Sequence, residues 1–183
     1  MNSLLLSVIV ILLNLMPDSP PQDQRTDRGK PTATAQEFAI QPVDPIDESR
    51  FRKLVRERNG KILFLNIWAT WCVPCVAEFP DLVRLSVSYD AKRVEVVGIS
   101  ADFPDEVESK IVPFLQKQKV PFKNYVADFK DQQDFINAVK RSWSGALPAT
   151  FIYDTAGEER FALVGKGTFE QFKKEIDKLR GPK

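Results

Sequence analysis

Cys72 and Cys75 are the residues of this sequence best suited to chemistry. They are the only two cysteines among 183 residues, and two residues lie between them. Side chains at this spacing meet on one turn of a helix, so the two sulfurs can close a small disulfide ring without moving the backbone. The spacing therefore indicates a reversible dithiol–disulfide couple.

The flanking residues place this pair at the start of a helix. The run from Lys61 to Trp68, whose apolar part is broken only by Asn66, predicts a buried strand before a turn. The unpaired N–H groups and partial positive charge of a helix N-terminus favour thiolate over thiol. We therefore expect Cys72, exposed at this strand-to-helix junction, to attack as the nucleophile, and Cys75, one turn deeper, to resolve the mixed disulfide.

Pro74 and Trp71 fit the same interpretation. Pro74 falls in the first helical turn, where its missing N–H costs nothing and its fixed φ suits the helix. Trp71 is predicted to flank the sulfurs as an apolar, partly exposed platform that contacts substrate.

A zinc site and a purely structural disulfide are the alternatives. Zinc takes four ligands, and the sequence has no histidine and no third cysteine, so we predict no metal. A structural disulfide usually closes a long loop, whereas this one would close almost none and stabilise little. The redox interpretation is favoured, with the disulfide as the redox group and no further cofactor.

The residues around the cysteines resemble the thioredoxin superfamily. The motif is Trp-Cys-x-Pro-Cys after an apolar strand, and Pro80 is similar to the proline that kinks the active-site helix of thioredoxins. Residues 146–150, Ala-Leu-Pro-Ala-Thr, resemble the cis-proline loop of that family. Glu78 resembles the glutamate of the exported TlpA/ResA-like branch. The resemblance covers about residues 36–180.

This resemblance implies an α/β protein with a thioredoxin fold, in which helices flank a central mixed β-sheet. The span from Gly98 to Pro148 is longer than in thioredoxin and implies a helix–strand insertion before the cis-proline loop. The resemblance also implies a cis Leu147–Pro148 bond, with Pro148 facing Cys72 and both loop residues binding an extended substrate segment. The alternative is an ordinary trans proline at the start of a strand.

The roles of three further residues stay open. Glu78 is either a solvated helix carboxylate or a group that exchanges a proton with Cys75, which needs a pKa raised towards 7 by burial. Thioredoxins have a buried aspartate where this chain has Asn66, and asparagine cannot titrate, which favours Glu78 as the proton acceptor. Asn66 is predicted to be a hydrogen-bonded core residue. Trp143 either packs the loop before Pro148 or lines a substrate groove.

The chain divides into three predicted regions. Residues 1–16 contain an apolar run of roughly 20 Å, too short for a bilayer, and predict a signal peptide or an N-terminal anchor. Residues 17–35 are rich in polar residues and proline and predict a disordered tether. Residues 36–183 are predicted to form one thioredoxin-like domain.

The charge balance limits the kinds of partner. Lysine plus arginine number 26 against 25 for aspartate plus glutamate, a net charge of +1. This balance argues against a nucleic-acid partner or binding to an anionic membrane surface. The apolar N-terminal run and the resemblance to an exported branch instead favour an exported protein on the periplasmic or extracytoplasmic side of a membrane.

Residue patterns predict the remaining elements of the domain. They are an edge strand at 38–40, a helix opened by Asp44-Pro45 and ended by Asn59-Gly60, a strand at 94–99 parallel to the first, a helix over 102–119 kinked at Pro113, a strand at 125–127, a helix over 131–141, antiparallel strands at 149–154 and 160–164, and a last helix capped by Thr168.

The predicted function is reduction of protein disulfides outside the cytoplasm. Its partners would be disulfide-containing or dithiol proteins and a membrane electron donor that restores the dithiol. A disulfide-forming oxidase is the first rival, although the Val73-Pro74 pair lacks the histidine of strong oxidases. A peroxidase would need a Pro-x-x-x-Thr-x-x pattern before Cys72, which is absent. A binding module that keeps the fold without turnover is the non-enzymatic alternative.

Overall fold

The computed structural model of the protein describes residues 39–180, which form a six-stranded sheet with flanking helices. The strands are β1 (Asp44–Ile46), β2 (Ile62–Trp68), β3 (Val94–Ser100), β4 (Lys123–Ala127), β5 (Ala149–Tyr153) and β6 (Glu159–Val164). The helices are α1 (Glu48–Arg56), α2 (Val73–Val87), α3 (Val112–Lys117), α4 (Gln132–Val139) and α5 (Phe169–Leu179). The predicted signal or anchor region, the tether and Phe38 lie outside the described residues. Between 39 and 180, no helix is both long and apolar enough to cross a membrane.

The sheet is mixed, and its strand order is β1-β4-β3-β2-β5-β6. The first four strands in this order pair in parallel, while β5 is antiparallel to both β2 and β6. The parallel pairing of β2 with β3 and the antiparallel β5–β6 pair confirm the prediction. Helix α3 and strand β4 are the helix and strand of the predicted insertion before the cis-proline loop. In the sheet, β4 lies between β1 and β3.

Two apolar layers cover the two faces of the sheet, and alternate side chains of β2 belong to one layer or the other. All seven residues of β2 are buried. Ile62, Phe64 and Trp68 pack in the layer formed with α2, α3 and α5, whereas Leu63 and Leu65 pack with α1 and α4. Since successive strand residues point to opposite faces, position 66 faces α2, the helix that carries the cysteines.

The start of the domain differs from the prediction. Asp44 and Pro45 do not open a helix, because they belong to strand β1, which pairs with β4 and buries Ile46. Proline is tolerated there because β1 is an edge strand. The helix begins later, and its cap is Asp47, whose carboxylate accepts a hydrogen bond from the Arg50 amide at 2.8 Å. The edge strand predicted at 38–40 is also wrong for the described residues 39 and 40, since β1 occupies that edge.

The predicted helix over 102–119 is broken into three pieces. A 3₁₀ turn at Pro104–Glu106 and a π-helical turn at Val107–Ile111 lead into α3. Pro113 lies in the first turn of α3, where proline is tolerated. In one continuous α-helix over 102–119 it would lie in the interior, where its missing N–H and its ring are disruptive. The wider π turn before it accommodates the proline. Ile111 and Leu115 are buried, as the apolar spacing predicts.

Candidate active site

Cys72 lies at the junction between β2 and α2, as predicted. It is the N-cap of α2, and its Sγ accepts a hydrogen bond from the Cys75 amide at 3.3 Å. The Cys72 amide donates to the Ala69 carbonyl at 3.2 Å, which closes the turn after the strand. Pro74 falls in the first turn of the helix. The sulfur of Cys72 therefore meets the unpaired N–H groups of the helix start, where negative charge on it is stabilised.

The two cysteines form a disulfide and differ in burial. The Cα atoms are 5.2 Å apart. Cys72 is 6% exposed and Cys75 is 1% exposed, so the expectation of an openly exposed Cys72 is wrong for this disulfide form. The order of accessibility still favours Cys72 as the sulfur that meets substrate. Trp71 and Val73 on either side are 64% and 79% exposed and form an apolar surface around it.

Glu78 is completely buried, which rules out a solvated helix carboxylate. Its Oε1 accepts a hydrogen bond from Asn66 Nδ2 at 2.9 Å, and its Oε2 accepts one from the Gly167 amide at 2.8 Å. Removal from water raises the pKa of Glu78 from its ordinary 4.5 to about 7, although the two hydrogen bonds oppose this shift. The side chain can thus gain or lose a proton near neutral pH, one helical turn from Cys75.

Asn66 is a hydrogen-bonded core residue, as predicted. Besides Glu78, its Nδ2 donates to Thr150 Oγ1 on β5 at 3.1 Å. Asn66 and Thr150 are register partners in the antiparallel β2–β5 pair. This polar contact holds the cysteine-bearing helix, the central strand and the strand after the proline loop together.

The Leu147–Pro148 bond is cis, which confirms that prediction. Pro148 is buried, and its carbonyl accepts a hydrogen bond from the Gly165 amide at 2.8 Å. Trp143 is buried and donates from Nε1 to the Ala146 carbonyl at 3.0 Å, so it packs the loop from within. That Leu147 and Pro148 bind substrate stays a prediction.

The loop between β6 and α5 is a part of the site that sequence reasoning missed. Gly165 holds the carbonyl of Pro148, and Gly167 holds the carboxylate of Glu78. A Cβ atom at Gly167 would lie 2.2 Å from the ring of Phe172, so the backbone approaches Glu78 only because this residue is glycine. The Gly-Lys-Gly sequence before the Thr168 cap is the only signal that could have indicated it.

Asp102 is a second missed residue, predicted only as the start of a helix. It is 2% exposed, and its carboxylate accepts hydrogen bonds from the Thr70 amide at 2.9 Å and the Thr70 hydroxyl at 2.6 Å. It also accepts one from the Ser100 hydroxyl. Asp102 therefore anchors the loop that leads into Cys72.

Replacing Asp102 with alanine is expected to lower the free energy of unfolding by about 2 kcal/mol, because two donors of the half-buried Thr70 and the hydroxyl of the buried Ser100 lose their acceptor. Asp102→Asn retains one acceptor oxygen and should lose distinctly less. Urea denaturation of the oxidised protein measures both values. Equal losses for the two variants would show that these hydrogen bonds do not hold the loop.

The fold and the disulfide at the start of α2, with the cis-proline loop, define a thioredoxin-superfamily protein. The chain belongs to the AhpC/TSA family, whose sequence model matches residues 32–161. It is 31% identical over 126 residues to the thiol-disulfide oxidoreductase ResA of Bacillus cereus, covering 68% of this chain and 67% of that protein. It is 30% identical over 148 residues to ResA of Geobacillus thermodenitrificans, covering 81% and 77% respectively.

A solved structure supports the fold independently. The thiol:disulfide interchange protein of the thioredoxin family from Chlorobium tepidum superposes with a TM-score of 0.57 at 22% identity, covering 68% of this chain and 83% of that one. The family and the fold confirm the predicted class of enzyme: the protein is a ResA-like thiol–disulfide oxidoreductase.

Proposed function

We propose that the protein reduces protein disulfides outside the cytoplasm through the Cys72–Cys75 couple, with no cofactor beyond that disulfide. The observation that carries this proposal is the disulfide itself, formed between an N-cap cysteine and a more deeply buried one. An N-cap sulfur is stabilised as thiolate and so both attacks and leaves readily.

The reaction begins from the dithiol form. The Cys72 thiolate attacks one sulfur of the substrate disulfide, and the other substrate sulfur leaves and takes up a proton. The Cys75 thiolate then attacks Cys72 Sγ in the mixed disulfide and releases the second substrate thiol. Two electrons and two protons pass to the substrate, and the protein ends as the Cys72–Cys75 disulfide.

Glu78 supplies the proton step in this scheme. Cys75 is 1% exposed, so bulk water does not readily take its proton. A carboxyl group with a pKa of about 7 accepts that proton near neutral pH and gives it up again afterwards. In the disulfide form the carboxylate binds Asn66 and Gly167, which keep it in place between turnovers.

The rest of the sequence supports a location outside the cytoplasm for this reaction. The apolar run within residues 1–16 supports export or anchoring, and the polar stretch 17–35 would hold the domain away from a membrane. Regeneration of the dithiol requires an electron donor, for which a membrane protein is proposed. The net charge of +1 gives no support to a nucleic-acid partner.

The reduction potential of the Cys72–Cys75 pair tests the direction of electron flow. Equilibration with a defined thiol buffer is expected to give a value near that of thioredoxin, about −270 mV. A value of about −120 mV, typical of a strong oxidase, would reverse the proposed direction of electron flow. Absence of any reversible couple would leave only a binding module.

A further inference from the structure

A groove opens beside the disulfide, at the end of the sheet where the parallel strands finish. It has a volume of about 590 Å³, which suits a large side chain with its neighbouring backbone. Its apolar lining includes Trp71, Phe103, Phe129, Phe135, Trp143 and Leu147. We call it the side groove. In open α/β sheets this end of the strands is the usual place for ligands.

The side groove is continuous with the reactive site. Trp71, on one wall, directly precedes Cys72, and Leu147, on another, directly precedes Pro148. An extended segment advances about 3.3 Å per residue, so a substrate cysteine at Cys72 brings its near neighbours to the groove.

The groove has a rigid apolar floor and exposed walls. Phe135 and Trp143 are each 5% exposed and lie at 5.9 Å between ring centroids, edge to face. Phe103 is 71% exposed and Trp71 is 64% exposed, and both line the groove, so they leave an apolar surface open to a partner. An aromatic guest side chain would find ring faces and edges to pack against on both sides.

The rim of the groove is acidic. Asp128 and Asp131 line it against a single ammonium group, that of Lys130, while the buried carboxylate of Asp102 lies beneath it and binds Thr70 and Ser100. Within residues 39–180, neither Asp128 nor Asp131 forms an ion pair. Both are exposed. Asp131 caps α4 by accepting a hydrogen bond from the Asp134 amide at 2.8 Å, so Asp128 offers the more available carboxylate to a partner. Charge complementarity therefore favours a basic residue beside the apolar guest.

We propose that the side groove selects substrate segments that carry an aromatic side chain and a lysine or arginine within about three extended residues of the disulfide cysteine. This inference rests on the proposed function, because it names the substrate class of the same reaction. The groove then acts as a specificity pocket, and Phe103 and Asp128 are its accessible determinants.

Four short peptides test the proposal on the full chain, reduced beforehand and freed of reductant. Each carries one cysteine in mixed disulfide with nitrothiobenzoate, and they combine phenylalanine or alanine with lysine or glutamate beside it. Attack by Cys72 releases the coloured nitrothiobenzoate thiolate, and Cys75 then releases the peptide thiol. The second-order rate constant is read from absorbance.

The wild-type protein is expected to prefer phenylalanine over alanine about tenfold, the discrimination that an apolar pocket typically provides. It should prefer lysine over glutamate several-fold, and salt should weaken that preference. Phe103→Ala should reduce the aromatic preference to about threefold or less. Asp128→Asn should reduce the preference for lysine.

Two matched variants serve as controls. Val87→Ala removes an equally exposed apolar side chain at the far end of α2, and Glu108→Gln removes an exposed carboxylate outside the groove. Both should keep the wild-type preferences. Equal rates for the four peptides, a preference for glutamate, or preferences unchanged in Phe103→Ala and Asp128→Asn would overturn the groove proposal alone. Failure of the wild-type protein to react with any peptide would overturn the proposed function as well.

Discussion

Cys75→Ser is expected to trap a covalent complex with substrate, whereas Cys72→Ser is expected to react with none. Cys72 is the more accessible sulfur and the N-cap of α2, so it forms the mixed disulfide. Without Cys75 nothing resolves that bond. Turnover should fall by on the order of 10³-fold or more in either variant, since each removes a residue that acts as part of one unit.

The two variants control for each other. Both abolish the same Cys72–Cys75 disulfide, so any loss of stability from the missing cross-link is shared. Only the position of the surviving sulfur differs. Intact-mass measurement after incubation with a disulfide-bonded peptide should show one added peptide on Cys75→Ser and none on Cys72→Ser. The opposite result would exchange the roles of the two cysteines. Absence of turnover in the wild-type protein, with partner binding unchanged in Cys72→Ser, would support the binding module.

Local chemistry made much of the site predictable. The spacing of Cys72 and Cys75 and the apolar run before them are features of short segments, and each indicates its geometry without knowledge of distant residues. Strand β2 shows the same: its apolar run, broken only by Asn66, predicts a strand covered on both faces, and all seven residues are buried. The parallel pairing of β2 with β3 and the antiparallel pairing of β5 with β6 then follow from the connections between them. The cis bond at Pro148 was instead implied by the resemblance to thioredoxins.

Contacts between distant segments were not predictable in this way. The Gly167 amide that holds Glu78 is 89 positions away, and no pattern in either segment indicates the other. Asp44-Pro45 shows a different kind of wrong prediction. The local pattern is typical of a helix start, but these residues form strand β1. Pairing with β4 and burial of Ile46 outweigh that local preference. A tertiary contact thus decides between two structures that local chemistry permits.

Glu78 makes the stability of the oxidised protein depend on pH in an unusual direction. Its pKa is about 7 in the folded protein against 4.5 ordinarily, so the unfolded chain loses this proton first as the pH rises. Its contribution to stability is complete below pH 4.5 and declines until the folded group also ionises near pH 7. Raising the pH from 4 to 8 should therefore lower the contribution of Glu78 to the free energy of unfolding by about 3 kcal/mol. Lys166 lowers the pKa and Asp81 raises it, and neither outweighs desolvation.

Glu78→Gln isolates this effect because glutamine stays neutral throughout. Wild type and variant share every other titrating group, so the difference between their unfolding free energies should move by about 3 kcal/mol in favour of the variant from pH 4 to pH 8. Urea denaturation of the wild-type protein and the variant, both in the disulfide form, measures this difference at several pH values. Glu108→Gln, which removes an exposed carboxylate, is the control variant.

The reaction rate gives a second measurement of the same proton. The rate of the resolving step in the reduced wild-type protein should titrate near pH 7, and Glu78→Gln should lose that titration. A stability difference that is constant with pH would mean that the pKa of Glu78 is not raised in the folded protein. The side chain would then already be ionised at neutral pH with its ordinary pKa, and Glu78 could not relay the proton of Cys75.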